Sequence, residues 1–325
     1  MTLIKNLIIT LKTKGLKDTF FAIKSFFAIL FINFFSSNAL LKRKIFNYYM
    51  YLDPKDRGIS RTLLLFGERE LDHKLILERI VKKNMKIFDI GANIGYYVLM
   101  ESNLIGEKGK ILAIEPVDKN IKLLRKNLKL NNNKITKTIQ IAVSNDNKKN
   151  KKNFLISTHS NLGHLVSDQE SRLIKKRAVN KEEIKLIRTK TINIKTLIKK
   201  NFIPDFIRMD IEGSEAEIIG SLAKLNLKKY PIICFETHTS KYKNSNKMRD
   251  SLKQIFKKGY RVKFVSTSYK EASTKLNKLG YRPYYRNIKT DDVIRDIYKD
   301  LKKEHAINLI CNKGGLRTIL MVYEK

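Results

Sequence analysis

The stretch Met85 to Gly95, MKIFDIGANIG, constrains the fold more than any other part of this chain. A short β-branched and aromatic run ends at Asp89-Ile90, a glycine follows at once, and beyond Gly95 the residues Tyr97, Val98 and Met100 continue the helical spacing begun at Ile94. A strand that passes so abruptly into a helix is the repeating unit of a parallel sheet, because the helix must carry the chain back to the edge where the next strand starts. Gly91 allows the sharp turn and a close backbone approach, and Gly95 lets the helix pack tightly on the sheet. Asn93 stands where the dinucleotide fingerprint has its second glycine, which weakens the case for a pyrophosphate ligand.

The same rhythm recurs downstream. Lys110 to Glu115 reads as the second strand, Val117 to Leu130 as a helix with Ile121, Leu124 and Leu128 on its apolar face, and Thr138 to Val143 as the third strand. A polar insertion of about 145–190 follows, with the Asn/Lys run Asn145 to Asn153 expected as an exposed loop. Phe206 to Asp210, Ile232 to Glu236 and Arg261 to Val265 then read as strands, with Ser214 to Leu225 and Met248 to Lys258 as helices between them. Asp292 to Lys303 has helical spacing, and Arg317 to Tyr323 reads as a last strand paired with Ala306 to Cys311. The pattern predicts an α/β fold: a doubly wound, mostly parallel sheet with helices on both faces and ligands at the carboxyl ends of the strands. That domain spans 85–325, with a C-terminal extension of about 260–315, and 53–84 is a helical lead-in.

Before Asp53-Pro54 lies a basic and apolar segment, 1–52, expected as a helical extension. FFAIKSFFAILFINFF (Phe20 to Phe35) is flanked by Lys12, Lys14 and Lys17 on one side and Lys42, Arg43 and Lys44 on the other. Thr19 to Leu41 is just long enough to cross a hydrocarbon core of about 30 Å. Asn33, Ser36, Ser37 and Asn38 and the basic flanks on both sides suit an interfacial anchor, or a helix packed on the body, at least as well. Ser37-Asn38-Ala39 also has the look of a signal cleavage site, although the nucleotide-type site downstream argues against export. The formal charge of +36, from 67 Lys+Arg against 31 Asp+Glu, favours anionic partners: nucleic acid, anionic lipid or phosphorylated glycan precursors. The excess is mostly dispersed lysine among many Asn and Ile, a profile that A+T-rich codon usage produces by itself, and differs from the clustered stripe that tracks a phosphate backbone. A hydrophobic share of 42% is enough for a folded core. The two cysteines, Cys234 and Cys311, form no C-x-x-C pair, so neither a disulfide framework nor a cysteine zinc site is expected.

Asp89 sets a carboxylate beside the glycine turn, where it suits a cationic ligand or an amine better than a phosphate. One βαβ unit later the second strand ends at Glu115-Pro116, where a carboxylate accepts hydrogen bonds from both hydroxyls of a ribose. Together these features describe a site for S-adenosylmethionine. The blander alternative is a generic glycine turn and an ordinary surface glutamate. Five blocks in order, FDIGANIGYYVL, AIEPVDKNIKLLRKNLKLN, IAVSND, IRMDIEGSEAEIIGS and CFETH, resemble the FkbM-type S-adenosylmethionine-dependent methyltransferases, class I enzymes, which implies a sheet of the seven-stranded, Rossmann-like type. The resemblance covers about half the chain, from near Met85 to near His238, and D-I-E-G-S-E is its most specific block. It implies that Asp89, Gly91, Asn93 and Gly95 line the methionine end of the cofactor, that Glu115 holds the ribose, and that Ala142, with Val143, sits near the adenine. It further implies methylation of a hydroxyl on a sugar, glycolipid or polyketide-like acceptor.

Methyl transfer to an alcohol needs proximity, a water-poor pocket and a base for the hydroxyl proton. The ends of the fourth and fifth strands supply Asp210, Glu212, Glu236 and His238. His238 is the expected base, with Glu236 or Asp210 orienting it. Glu215 and Glu217 read as first-turn residues that suit a helix dipole. His159 and His164 in the insertion are alternative groups toward the acceptor. Strand-end spacing is not a ligand code, and no metal is expected. The expectation is therefore an S-adenosylmethionine-dependent O-methyltransferase for a glycan or glycolipid acceptor, cytoplasmic and held at the inner face of a membrane through residues 1–45. An RNA methyltransferase is the first rival; it would show N/D-P-P-[YF] where Asp210-Ile211-Glu212-Gly213 stands, and nucleic acid is not favoured. A nicotinamide-dependent oxidoreductase, disfavoured by Asn93, and a basic membrane-surface adaptor are the others.

Overall fold

The computed structural model describes residues 8, 10–12, 15–35, 39–145, 151–157, 163–177, 184–242 and 246–324. Helix α1 (Leu16–Phe35) leads into a hairpin, β1 (Leu41–Ile45) and β2 (Tyr48–Leu52), followed by α2 (Ile59–Phe66) and α3 (Leu71–Ile80). The hairpin corrects the expected helical extension. Its residues alternate with period two: Ile45, Tyr48, Met50 and Leu52 are buried while Lys42, Lys44 and Tyr49 face out. No helix among the described residues is long and apolar enough to cross a membrane. Residues 36–38 of the window Thr19 to Leu41, with Ser37 and Asn38 of the supposed cleavage site, lie outside the described residues.

The alternating part runs β3 (Lys86–Ile90), α4 (Tyr96–Ile105), β4 (Lys110–Ile114), α5 (Asp118–Leu130) and β5 (Thr136–Ile139). The insertion carries β6 (Ala142–Val143), β7 (Lys151–Ser157), β8 (His164–Val166), α6 (Asp168–Arg177) and β9 (Ile184–Ile192). Then follow α7 (Ile194–Lys200), β10 (Phe206–Met209), α8 (Glu215–Ala223), β11 (Ile232–Glu236), α9 (Thr239–Tyr242), α10 (Lys247–Lys258) and β12 (Tyr260–Thr267). The chain ends with α11 (Lys270–Lys278), β13 (Tyr285–Thr290), β14 (Val293–Leu301), α12 (Lys303–Asn308) and β15 (Leu316–Tyr323).

Nine strands form one sheet in the order β13-β14-β12-β15-β11-β10-β3-β4-β5. The run β11-β10-β3-β4-β5 is parallel throughout, and β15 enters antiparallel between β11 and β12. This is the expected doubly wound α/β sheet, widened at one edge by the antiparallel pair β13 and β14. Successive residues of the central strands are buried on opposite faces: Phe88 and Ile90 pack toward α8 and α10, and Ile87, Ile111 and Ala113 toward α4 and the hairpin. Burial on both faces is why these strands read as continuous apolar runs.

Two assignments near the C-terminus are corrected. Val293, Ile294, Ile297, Tyr298 and Leu301 have helical spacing, yet they lie on strand β14, because the charged residues between them are also buried. Arg295 donates to Asp72 at 2.8 Å, and Asp296 accepts from Ser273 at 2.6 Å. Ala306 to Cys311 is helical, so β15 pairs with β11 and β12 instead. The polar insertion contributes to a second sheet in the order β6-β9-β7-β8; of the run Asn145 to Asn153 expected as an exposed loop, Lys151 to Asn153 lie on β7, and residues 146–150 are outside the described residues.

Candidate active site

The turn after β3 is built on steric grounds that the sequence only partly discloses. Gly91 has φ +85, and a Cβ there would lie 2.1 Å from the Asp210 carbonyl oxygen, so the close approach is to the neighbouring strand end. The Gly91 and Ala92 amides both donate to the Ile114 carbonyl, at 2.9 and 3.0 Å, which ties the turn to β4. At Gly95 a Cβ would meet Leu124 Cδ1 at 2.5 Å, so the close packing at this position is of the start of α4 against helix α5, where packing on the sheet was expected.

An open cleft of about 790 Å³ lies above this turn. Gly91, Asn93, Glu115, Ala142 and Asp210 line it; Gly95 and Asp89 do not. Glu115 is almost wholly buried; its Oε2 accepts from the Asn93 amide at 2.9 Å, and its Oε1 from the Val117 amide at 2.9 Å and Asn120 Nδ2 at 3.3 Å. Burial pushes its pKa up to about 7, against the three hydrogen bonds that favour the anion. Ile141, Val143 and Phe154 give the cleft an apolar wall beside Ala142.

This donor set fits S-adenosylmethionine. A carboxylate with acceptor capacity to spare faces the space where hydroxyls are expected, an apolar slot stands beside it, and the cleft also holds Asp210 and Glu70, paired with Arg208 and with Arg69 and Arg317, as acceptors for an amine. Asp89, expected to line the methionine end, sits beneath the floor instead. It is fully buried in β3, and its Oδ1 accepts from Arg208 Nη1 at 2.9 Å, while its Oδ2 has no hydrogen-bond partner. Arg208 lies opposite Asp89 in the strand register and stacks its guanidinium 3.8 Å from the Tyr97 ring centre. Sequence reasoning missed Arg208, although a lone arginine inside the apolar strand FIRM signals a buried partner.

At the other end, four carboxylates converge on one imidazole. His238 Nδ1 is 3.2 Å from Glu215 Oε1, and Nε2 is 3.5 Å from Glu212, 3.8 Å from Glu236 and 3.9 Å from Asp210. Glu215 is no dipole decoration. Fully buried, it accepts from the Ile211 and Gly213 amides at 3.0 and 2.9 Å and from Tyr242 at 2.9 Å, clamping the turn on which Glu212 has φ +53. Burial alone would lower the His238 pKa, but Glu212 and Glu215, with Glu236, raise it to about 11. These carboxylates favour a cation at this position, a proton on the ring among them, which stands against the expected role of His238 as proton acceptor.

Behind the cluster, Arg317 bridges Glu236 at 2.8 Å and Glu70 at 2.6 Å, and Glu70 also pairs with Arg69 and Tyr97. Glu70, Arg69 and Arg317 were invisible as site residues because they come from the lead-in and the last strand, far from the motif blocks. A second groove of about 750 Å³, bounded by His164, Glu212 and Lys241, shares Leu165 and Ser214 with the cleft. His159 lies outside the described residues.

The methyltransferase FkbM domain model matches residues 89–282 of this chain. Among solved structures, the chain is similar to precorrin-6y C5,15-methyltransferase from Geobacter metallireducens, at 13% identity over 78% of this chain and 86% of that one, with a TM-score of 0.37. It is similar to M. jannaschii TYW2 in complex with AdoMet at 12% identity over 89% of each chain, with a TM-score of 0.42. An S-adenosylmethionine-dependent O-methyltransferase from Thermotoga maritima matches at 11% identity over 78% of this chain and 65% of that one, with a TM-score of 0.36. No curated protein matches the chain.

Proposed function

The chain belongs to the FkbM methyltransferase family, and from that premise we propose that it uses S-adenosylmethionine to methylate a hydroxyl of a sugar or glycolipid acceptor. The observation that carries this reading is that the cofactor-type cleft and the carboxylate cluster share one wall, Asp210, so that a bound donor and an acceptor hydroxyl meet at the carboxyl edge of the sheet. When bound, S-adenosylmethionine supplies an electrophilic methyl group on a sulfonium. Glu115, fixed by the Asn93 and Val117 amides, holds the ribose hydroxyls. Ala142, Val143 and Phe154 enclose the adenine, and Phe154 and Leu165 help keep water from the reacting end.

The acceptor enters by the groove between His164, Glu212 and Lys241. Asp210 and Glu212, at the junction of groove and cleft, are the groups positioned to take the hydroxyl proton. The groove sets Glu170, Glu212 and Glu217 beside Lys241 and Lys247, and its carboxylates suit a polyhydroxyl acceptor, whose hydroxyls donate to them. Lysine-flanked α1, which leaves Leu16, Phe20, Phe27 and Phe31 exposed, supports an acceptor presented at an anionic membrane surface.

Calorimetric titration with S-adenosylmethionine tests the donor. Wild-type protein should bind it, and Glu115→Ala should bind about tenfold to a hundredfold more weakly, as expected for loss of charge-assisted acceptors. Methyl-labelled donor incubated with glycolipid extract and, separately, with RNA tests the acceptor: label in the glycolipid fraction supports the reading, and label only in RNA replaces it.

A further inference from the structure

We propose that Asp210, Glu236 and His238 form a binding site for one divalent transition-metal ion. One ligand atom from each of the three lies within 4.8 Å of the others, across the ends of adjacent parallel strands whose backbones are fixed by the sheet. Two ligands about 2.1 Å from a common ion are at most about 4.2 Å apart, so a few tenths of an ångström of side-chain adjustment closes the shell.

The second, independent observation is the imidazole itself. The His238 side chain is nine-tenths buried, and neither of its ring nitrogens makes an aligned hydrogen bond. An imidazolium donating to a carboxylate settles on one partner at about 2.7–2.9 Å. Nε2 instead stands 3.5 to 3.9 Å from three carboxylates at once, as a ligand atom does when it shares a centre with them. Nδ1 faces Glu215 at 3.2 Å, and Glu215 is held by two backbone amides and Tyr242. A carboxylate behind the non-ligating nitrogen is the arrangement that orients metal-binding histidines.

The charges around the site are compatible with this use. Arg208 takes Asp210 Oδ2 at 3.4 Å and leaves Oδ1 toward His238; Arg317 holds Glu236 Oε1 at 2.8 Å, the oxygen that faces Nε2, so the ion shares that oxygen with the guanidinium or takes Oε2 after a carboxylate rotation. One imidazole with two carboxylates suits Mn²⁺, Fe²⁺ or Zn²⁺ better than Mg²⁺, which prefers oxygen and retains its water. Three protein ligands leave positions open, and Asp210 lines the cleft, so a hydroxyl-bearing acceptor or water completes the shell from that side. The placement of the open positions toward the acceptor rests on the proposed methyltransferase reading; the binding of the ion does not.

The test uses full-length protein stripped with EDTA and titrated with MnCl₂ alone, followed by loss of the free-ion electron paramagnetic resonance signal, and with ZnCl₂ by calorimetry. One ion per chain is expected, bound at least tenfold more weakly by His238→Ala and by Glu236→Gln. Binding should raise the melting temperature of wild type and not of either variant. Should one variant fail to fold, the other and the wild-type stoichiometry still decide. Absence of Mn²⁺ and Zn²⁺ binding at millimolar concentration, or equal binding by wild type and a folded variant, overturns the proposal. A parallel titration with S-adenosylmethionine separates the two readings: donor binding without metal binding removes the metal site alone, and the converse removes the donor reading alone.

Discussion

Glu115 and Asp89 stand on neighbouring strands of one motif, yet burial gives them opposite environments. Glu115 keeps its carboxylate on the cleft with a pKa near 7, while Asp89 is sealed against Arg208. Ribose recognition uses both Glu115 oxygens as acceptors and so requires the anion. Affinity for S-adenosylmethionine should therefore rise about tenfold between pH 6 and pH 8, as the proton leaves through the raised pKa. In Glu115→Gln the affinity at pH 8 should fall and the rise should flatten; a wild-type profile that is level across this range, measured by calorimetry, would assign the ribose contact elsewhere. The glycine turn and Glu115 were legible because short-range spacing dictates them. The burial of Asp89 was not, since it depends on Arg208, 119 positions away and brought opposite only by the pairing of β3 with β10. Glu215 was misread for the same reason: a glutamate in a first helical turn carries a local explanation, and only the returning turn and Tyr242 show that it is fully engaged.

Strands buried on both faces announce themselves in sequence, and β3, β4, β10 and β11 were read within a residue or two of their ends. The errors fell on elements whose pattern is ambiguous by construction of the pairing. Strand β14 hides charged residues in salt bridges, which imitates a helical stripe, and the β1–β2 hairpin alternates only when its partner α5 is known. Asn127 and Asn131 of α5 hold that hairpin through Tyr51 and Tyr49, with contacts of 2.7 to 3.3 Å. The hairpin therefore belongs to the body, and α1 is the separable piece. Removal of residues 1–38 should leave the melting temperature within a few degrees of wild type, because Phe20, Phe27 and Phe31 are exposed. The shortened protein should also lose flotation with vesicles containing anionic phospholipid, where apolar burial and lysine charge act together. Flotation equal to that of the full chain would transfer the anchoring role to another face.

At the scale of the whole molecule, the lead-in and the C-terminal strands form one structure despite their distance in sequence. Asp72 pairs with Arg295 and Glu70 with Arg317, the Leu71 amide donates to Thr290 Oγ1 at 3.0 Å, and His73 Nδ1 lies 3.2 Å from Thr318 Oγ1. No local pattern predicts such pairings, which is why the lead-in read as a separate helical stretch. Its central residue also makes folding sensitive to acid. Burial, with the neighbouring positive charge of Arg208, lowers the His73 pKa to about 3, so the folded protein holds a neutral ring that the unfolded chain protonates near 6.5. The sign follows from linkage: the stabilisation is complete above pH 6.5 and is lost as pH falls from there toward 3, at up to about 1.4 kcal/mol per pH unit for this one proton. The melting temperature should thus fall from pH 7 to pH 5. His73→Gln, which keeps a partner for Thr318 but cannot take up a proton, should start lower at pH 7 and show a shallower fall. Other titrating groups, and the self-repulsion of a chain with net charge +36, act on both proteins alike, so the difference between the two slopes belongs to His73. Parallel slopes would mean that the ring is not held neutral, and the acid sensitivity would then lie with Glu70, whose carboxyl Arg69 and Arg317 hold well below the usual range.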